Sequence, residues 1–586
     1  MNSTIFKICY TFIMSSQTKR WVIPAPPPPE VSAALSEYPA YMRQILHNRG
    51  IKDAAEAKFF LAASEPAQTD PFLMLGMAAA VDRLQAAIQK QERIAIYGDY
   101  DADGVTATAL LVEFFEKLGA DVIGYIPNRF EEGYGLNNEA LANLHEEGIR
   151  LVVSVDCGVR SIEEARYARE LGLDLIITDH HHPADEIPQA LSVINPKQPG
   201  DPYPEKNLSG VGIAYKLASA FILQQEKQGD SIPSHLKAED LLDLVAIGTI
   251  ADMVPLMGEN RYLVRRGVEK IRSTRRQGLH SLMAAAGLRA AAATSGDVSF
   301  MLGPRLNAAG RLESALTAFS LLISKNVGEA SDLAQKLEAQ NRDRQDITRT
   351  IQAKAQELIK QQTAKAYLLF AVDPEFNPGV VGLVASRLTE TYYRPSIVAF
   401  QGPEFTRGSC RSIPEFHITE ALDACSSLLE HHGGHAAAAG FTVRNENLAE
   451  LMQRLEEIAK TQLEDLELQP TLKADLELAL SELKPEILTE IERLQPTGQT
   501  NPAVVFVSRR LSVVSSRQVG KDMSHLKLRV TDGWVTFDAI AFRFGDKHNQ
   551  MPPKIDLMYT FEINEFNGQK TFQLNVRDIQ PSQQLK

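Results

Sequence analysis

The run Ile94-Ala-Ile-Tyr-Gly-Asp-Tyr-Asp-Ala-Asp-Gly104 carries a short apolar stretch straight into acids at alternate positions, Asp99, Asp101 and Asp103. Residues 94–97 have the length and composition of a buried strand, and 105–118 the pattern of a helix. Alternate side chains of an extended segment point to one side, so the carboxylates converge. Strand, acidic loop and helix form the unit with which an α/β sheet builds a site beyond its C-terminal strand ends. Converged carboxylates repel unless a cation or a proton joins them, and a hard divalent metal is the economical partner. Taken alone, the run also reads as a solvated Asp/Gly turn.

The layout recurs down the chain. A strand is expected at 122–126, then a turn-rich loop over 127–136 and a helix over 139–146. The strand expected at 151–155 ends at Asp156-Cys157-Gly158, and after a helix at 162–171 the strand at 173–178 ends at Asp179-His180-His181-His182. A helix over 241–247 leads to Gly248-Thr-Ile-Ala-Asp252. Alternation of this kind predicts a parallel sheet with right-handed crossovers. Parallel strands end on one edge, so Asp101, Asp103, Asp156, His180 and Asp252 are brought together as oxygen and nitrogen ligands for two metal ions. Carboxylates with one imidazole suit Mn²⁺ or Mg²⁺ better than a thiolate-loving metal. Each residue alone has a plainer reading, as a turn former or a polar loop, but chance turns rarely repeat at successive strand ends.

Net charge of −13 argues against general attraction to nucleic acid, so any polyanion must meet a local basic patch or a metal site. Arg261, Arg265, Arg266, Lys270, Arg272, Arg275 and Arg276, opposed nearby only by Glu269, are expected to form that patch. The four cysteines, Cys9, Cys157, Cys410 and Cys425, form no CxxC pair and fit a reducing, cytoplasmic setting. The apolar stretch at 5–14 is short for a signal peptide, and Met14 reads as the natural start. No run is long enough to span a bilayer.

The rest divides by pattern. Residues 1–71 read as an extension, with prolines at 24 and 26–29, and a helical cap; 72–325 as the α/β domain; 326–362 as a long amphipathic linker helix. A smaller α/β domain follows over 363–460, holding Asn377-Pro-Gly-Val-Val-Gly382, Arg407-Gly-Ser-Cys-Arg-Ser412 and Gly433-Gly-His-Ala-Ala-Ala-Ala-Gly440. Glycines before a helix let backbone N–H groups approach an anion. Strands expected between 503 and 576, with a hairpin signal at Asn567-Gly568, make 461–586 an OB-like barrel. Trp534, Phe537, Phe542 and Phe544 are its candidate stacking rings.

Tyr97-Gly-Asp-Tyr-Asp-Ala-Asp-Gly104, Val155-Asp-Cys-Gly158, Asp179-His-His181 and Gly248-Thr-Ile-Ala-Asp252 resemble the four motifs of the DHH phosphoesterase superfamily. More closely they resemble the bacterial RecJ family of single-strand-specific exonucleases, as does Gly303-Pro-Arg-Leu-Asn-Ala-Ala-Gly-Arg-Leu312. The resemblance implies a DHH domain, a DHHA1 domain and an OB-like barrel. It implies 5′-to-3′ hydrolysis of single-stranded DNA to mononucleotides with two Mn²⁺ or Mg²⁺ ions, in DNA recombination and repair. Asp101 and Asp156 would hold one ion, and Asp103, Asp156, His180 and Asp252 the other. His181 would face the phosphate, steadied by Asp179. Many members have a histidine where this chain has Tyr97, so Asp99 is a further candidate ligand of the first ion. Arg305, Asn307 and Arg311, read as lying in a glycine-rich loop, would clamp phosphate, and Arg407, Ser409, Arg411, Gly434 and His435 would bind the strand. Also implied are a monomer, with a single-strand-binding protein and a helicase as partners. Pro496-Thr-Gly-Gln-Thr-Asn-Pro502 departs from the family pattern. The nearest rival is a DHH phosphodiesterase of short oligoribonucleotides or cyclic dinucleotides.

Overall fold

A computed structural model of the chain describes residues 19–229, 236–362, 366–566 and 569–582. The apolar stretch at 5–14, Cys9, Met14 and the Asn567-Gly568 turn lie outside the described residues. The chain divides into two compact units. One comprises Pro26–Ile347 with Lys484–Val504; the other comprises Thr348–Leu483, the segment from Val505 onward and the described residues before Pro26.

The first unit is built on five parallel strands in the order Val122–Tyr125, Ile94–Tyr97, Leu151–Val155, Asp174–Thr178 and Ser192–Ile194. Strands Ile94–Tyr97 and Leu151–Val155 are buried along their whole length, which is why they read as unbroken apolar runs. Alternation divides each strand between two cores. Ile94 and Ile96 join the helices Met77–Gln89, Ala102–Lys117, Gly210–Gln228 and Leu242–Ala251, whereas Ala95 and Tyr97 pack against Asn138–Glu146 and Ile162–Glu170. Ala102–Lys117 is buried almost all round, as a helix between a sheet and further helices must be.

From the strand Ile94–Tyr97 the chain steps to Val122–Tyr125 on one side and then to Leu151–Val155 on the other. The order reverses there, opening a crevice between the C-terminal ends of the Ile94 and Leu151 strands.

Three expectations are corrected here. The helix expected at 241–247 runs on through Ala251, because Gly248-Thr-Ile-Ala is buried against the core and Asp252 becomes its C-cap. Gly303–Leu312, read as a loop from its glycines, is the end of a continuous helical run from Ser295, in which the π-turn Val298–Leu302 directly precedes Gly303-Pro304. Two members of the expected basic patch, Arg261 and Arg276, are internal, whereas Arg266, Arg272 and Arg275 are exposed. Arg261 is buried and donates to the carbonyls of Phe60, Leu494, Gln495 and Pro496. Arg276 is held between Glu113 and Asp243.

The helix Val327–Lys360 has 34 residues and continues the chain from the first unit into the second. In the second unit a five-stranded sheet runs Leu429–His435, Ala438–Arg444, Phe405–Arg411, Ser396–Gln401, Leu369–Asp373, with only the last pair parallel. The glycine- and alanine-rich stretch at 433–440 is therefore a β-hairpin. Five further strands, Phe506–Val519, His525–Thr531, Thr536–Ala541, Lys554–Phe566 and Gln569–Pro581, close into a barrel when the first pairs with the fourth. Of its candidate rings, Trp534 and Phe542 are exposed, while Phe537 packs edge-on to Phe561 and Phe544 lies under the Lys547 ammonium. Among the described residues no helix is long and apolar enough to cross a membrane.

Candidate metal centre

The crevice is filled with acids. Gly98 and Asp99 follow the Ile94 strand, and Asp101 caps the next helix, its Oδ1 accepting the N–H groups of Asp103 (2.8 Å) and Gly104 (3.2 Å). Asp103 is the second residue of that helix, and its two oxygens accept the N–H groups of Gly210 (2.7 Å) and Val211 (2.9 Å) at the start of Gly210–Gln228. A carboxylate there is favoured by the helix dipole. Asp156 ends the Leu151 strand in the left-handed region, φ 62°, a conformation that costs free energy for any residue but glycine and that clusters at functional sites. A side chain on Gly210 would lie 2.5 Å from Asp156 Cβ, so glycine is what lets this helix start come up against the acid.

His180 and His181 follow the Asp174 strand. Asp179 accepts both of their backbone N–H groups and the Nδ1 of His181 (2.8 Å). His180 Nε2 lies 3.1 Å from Asp156 Oδ1 and 3.5 Å from Asp252 Oδ2. Ligand atoms of Asp99, Asp101 and Asp156 lie within 4.8 Å of one another, as do those of Asp103, His180 and Asp252, and those of Asp156, His180 and His181.

Electrostatics sharpen this picture. Burial pushes the carboxyls of Asp99, Asp103 and Asp156 well above the usual range, and the neighbouring acids push the same way. Burial and Asp101 raise Asp252 to about 7. Burial and the adjacent His181 lower His180 to about 3, leaving it neutral. For His181 burial opposes the charge, but Asp179 and the surrounding acids outweigh it and raise the ring to about 9. Asp99 Oδ1, Asp156 Oδ1 and both ring nitrogens of His180 are buried without a hydrogen-bond partner. Orphaned lone pairs on carboxylates and a neutral imidazole, all converging, fit hard divalent cations and little else.

Tyr97 does not enter the cluster. Its hydroxyl donates to the Gly135 carbonyl (3.0 Å) and accepts from Asn137, and its ring stacks on Tyr125. Asp99 stands in the cluster instead. Asn307 accepts the Ala102 N–H at 2.7 Å, tying the helix Gly303–Leu312 to the acidic loop. Arg305 is engaged by Glu338 and the Met301 carbonyl, both at 2.6 Å, which makes it a strut to the long helix. Arg311 lies near enough to Tyr100 to act on its hydroxyl.

Three contributors escaped sequence reading. Asn195 and Lys197 donate to the carbonyls of His181 (2.8 Å) and His180 (2.5 Å), fixing the histidine pair from behind. The Gly210 helix start is the third. Ile194-Asn-Pro-Lys197 after a short apolar run, and Ser209-Gly-Val-Gly212 with its N-cap serine, were the available signals.

In the second unit Arg407, Ser409 and Arg411 occupy alternate positions of the strand Phe405–Arg411 and so share a face. Arg411 donates to Ser409 Oγ at 3.2 Å, and a side chain on Gly382, in the first turn of Val381–Tyr392, would lie 2.9 Å from that oxygen. Gly434 and His435 sit opposite Ala439 and Ala438 in the neighbouring hairpin.

The chain matches the DHH family N-terminal domain over residues 93–249, the DHHA1 domain over 364–461 and the RecJ OB domain over 474–578. It is 38% identical over 576 residues to the single-stranded-DNA-specific exonuclease RecJ of Bacillus subtilis (strain 168), covering 97% of this chain and 72% of that protein. To the Escherichia coli (strain K12) protein of the same name it is 36% identical over 568 residues, covering 93% and 96%. The crystal structure of RecJ in complex with Mn²⁺ from Thermus thermophilus superposes with a TM-score of 0.81 at 31% identity, covering 97% of this chain and 80% of that one. A structure of RecJ from the same organism in complex with Mg²⁺ gives 0.76 at 29% identity, covering 97% and 79%. With the three domains present in order and this identity sustained along nearly its whole length, the chain belongs to the RecJ family.

Proposed function

We propose that this chain is a single-strand-specific DNA exonuclease that works from the 5′ end and releases 5′-mononucleotides, in DNA recombination and repair. The observation that carries the reading is the pair His180 Nε2 and Asp156 Oδ1, 3.1 Å apart, both orphaned, among four further carboxylates. Asp99, Asp101 and Asp156 are assigned to one ion, and Asp103, His180, Asp252 and Asp156 to the other. When bound, two Mn²⁺ or Mg²⁺ ions activate a water and stabilise charge on the attacked phosphate and its leaving oxygen.

The chain's own residues do the rest. His181, held at Nδ1 by Asp179, is left with Nε2 free to meet a phosphate oxygen, and when protonated it donates a hydrogen bond to charge that grows in the transition state. Asp179 also sets the backbone of both histidines, and Asn307 sets the acidic loop. Arg311 is the candidate second phosphate contact in this unit. Arg407, Ser409, Arg411, Gly434 and His435 are assigned to the strand, supported by the shared face of the first three. The exposed Trp534 and Phe542 suit base stacking on the barrel. A monomer in the cytoplasm, supplied with strands by a single-strand-binding protein and a helicase, completes the reading. The buried, unpaired Cys157, Cys410 and Cys425 fit a reducing compartment.

The test uses the full chain, Mn²⁺ and single-stranded DNA labelled at either end. Mononucleotides released first from the 5′ end, and none from duplex or in EDTA, are expected. Hydrolysis of dinucleotides alone would overturn the reading in favour of a small-substrate phosphodiesterase.

A further inference from the structure

Two exposed apolar side chains belong to segments at the acid and histidine cluster: Met253, and Tyr134, whose ring also stands edge-on to Tyr100 at 6.2 Å. Met253 follows Asp252 directly. Its backbone is left-handed, φ 62°, and its side chain is 66% exposed. An unbranched thioether gains nothing from that conformation, and water is its worst neighbour. Tyr134 stands between Gly133 and Gly135, whose φ values of 87° and 84° lift it out on a loop apex. It is 54% exposed. Its hydroxyl lies 3.4 Å from the Asp156 carbonyl oxygen and 3.4 Å from His181 Nδ1, with the ring edge-on to His181 at 6.1 Å. Neither side chain joins the two main hydrophobic clusters of this unit. Singly exposed apolar side chains are ordinary; what sets these two apart is that Met253 holds a strained backbone directly after Asp252 and Tyr134 touches His181.

We propose that Met253 and Tyr134 receive the nucleobase of the nucleotide whose phosphate lies on the cluster. The proposal rests on the exonuclease reading and adds to it the contact that grips the substrate beyond its phosphate. A phosphate held among Asp156, His180 and Asp252 would leave its sugar and base outside the cluster, where Tyr134 meets His181 and Met253 follows Asp252. The base has flat apolar faces, which a polarizable thioether and a phenol ring cover without reading its edges. The contact is therefore indifferent to sequence, as removal of nucleotides one after another requires.

The experiment compares Met253→Gly, Tyr134→Ala and Tyr134→Phe with the parent chain. The substrates are a natural single strand and one carrying tetrahydrofuran abasic residues at its 5′ end, both with Mn²⁺. For the natural strand, Met253→Gly and Tyr134→Ala should raise KM about fivefold to tenfold, the lower end of what a lost base stack costs. The abasic strand should hardly respond, and Tyr134→Phe, which keeps the ring, should lose less than Tyr134→Ala on the natural strand. Met253→Gly should melt no lower than the parent, since glycine suits φ 62°. Equal losses on natural and abasic strands, or unchanged KM on both, would overturn the proposal. Equilibrium binding of dAMP against 2-deoxyribose 5-phosphate makes the same comparison without turnover. A parent chain that cleaves nothing would thus sink the exonuclease reading, while equal affinities for these two ligands would sink the base contact.

Discussion

His180 Nε2 and Asp156 Oδ1 face each other at 3.1 Å without a hydrogen bond. Burial holds the ring neutral, so one of its two unpartnered nitrogens carries a lone pair that a cation shared with Asp156 can take up. Asp156 is held there by a left-handed backbone and by the close approach of Gly210. Asn tolerates the same backbone and nearly the same shape. Asp156→Asn should therefore fold yet lower kcat by about a thousandfold or more, the several kcal/mol a metal supplies to the transition state. Circular dichroism and strand cleavage check the two halves; substantial cleavage with an intact fold would refute the ligand assignment.

Mn²⁺ should also stabilise the protein. The apo cluster holds mutually repelling carboxyls, and an ion that binds only the folded chain adds about 2.7 kcal/mol at a hundredfold excess over its Kd. Thermal melts in Mn²⁺ should shift upward by a few degrees relative to EDTA, and Asp156→Asn should lose most of that shift. An equal shift in the variant would place the ions elsewhere.

Arg261 marks where sequence and structure part. Spacing along 261–276 shows seven cations but not which way they face, and the carbonyls that Arg261 collects lie more than 200 residues away in sequence. The acids were legible because they follow buried apolar strands that end on one edge of the sheet; the alternation of 99, 101 and 103 did not decide their faces, since Asp103 is already in the helix Ala102–Lys117 and groups with His180 and Asp252 rather than with Asp99 and Asp101. Ser192–Ile194 is too short for that signal. Arg305 and Asn307 carried the right residue types for a phosphate clamp, yet their partners, Glu338 and the Ala102 N–H, are set by packing. Asp99 was legible twice, as the first of the three alternate acids and as the acid that stands in where Tyr97 breaks the family pattern. If Arg261 is internal, Arg261→Leu should destabilise the chain by about 3–5 kcal/mol, since its carbonyl partners lose a buried charged donor. The salt dependence of strand binding, read below the lowered Tm, should not change. A reduced slope would restore Arg261 to the DNA-binding surface.

Acid should unfold the first unit partly through Glu113. Burial opposes its charge, but Arg276 and Lys117 outweigh burial and hold the carboxyl below its ordinary value. A depressed carboxylate contributes stability above its unfolded pKa, about 4.3, and loses it as pH falls through the folded value. Glu113→Gln should thus cost stability at pH 7 and little near pH 2, flattening the acid limb of a urea-melt series. A parallel offset at every pH would remove Glu113 from the titration.

Asn307 governs the acidic loop from outside it. Its Oδ1 takes the N–H of Ala102, the residue between Asp101 and Asp103, at 2.7 Å. Neither acid can shift without straining that bond, because Asp101 caps the helix that Ala102 begins and Asp103 is clamped at Gly210 and Val211. Partners that orient metal ligands are worth about 10–100-fold in affinity or activity when removed. Asn307→Leu should therefore raise the Mn²⁺ concentration needed for half-maximal cleavage by about that factor. Saturating Mn²⁺ should recover most of kcat, since no substrate contact is lost. Asn307→Asp keeps the acceptor but adds charge beside five carboxyls, so it should retain the loop and bind Mn²⁺ at least as well as the parent. Loss of kcat that saturating Mn²⁺ does not rescue in Asn307→Leu would instead assign Asn307 to the phosphate.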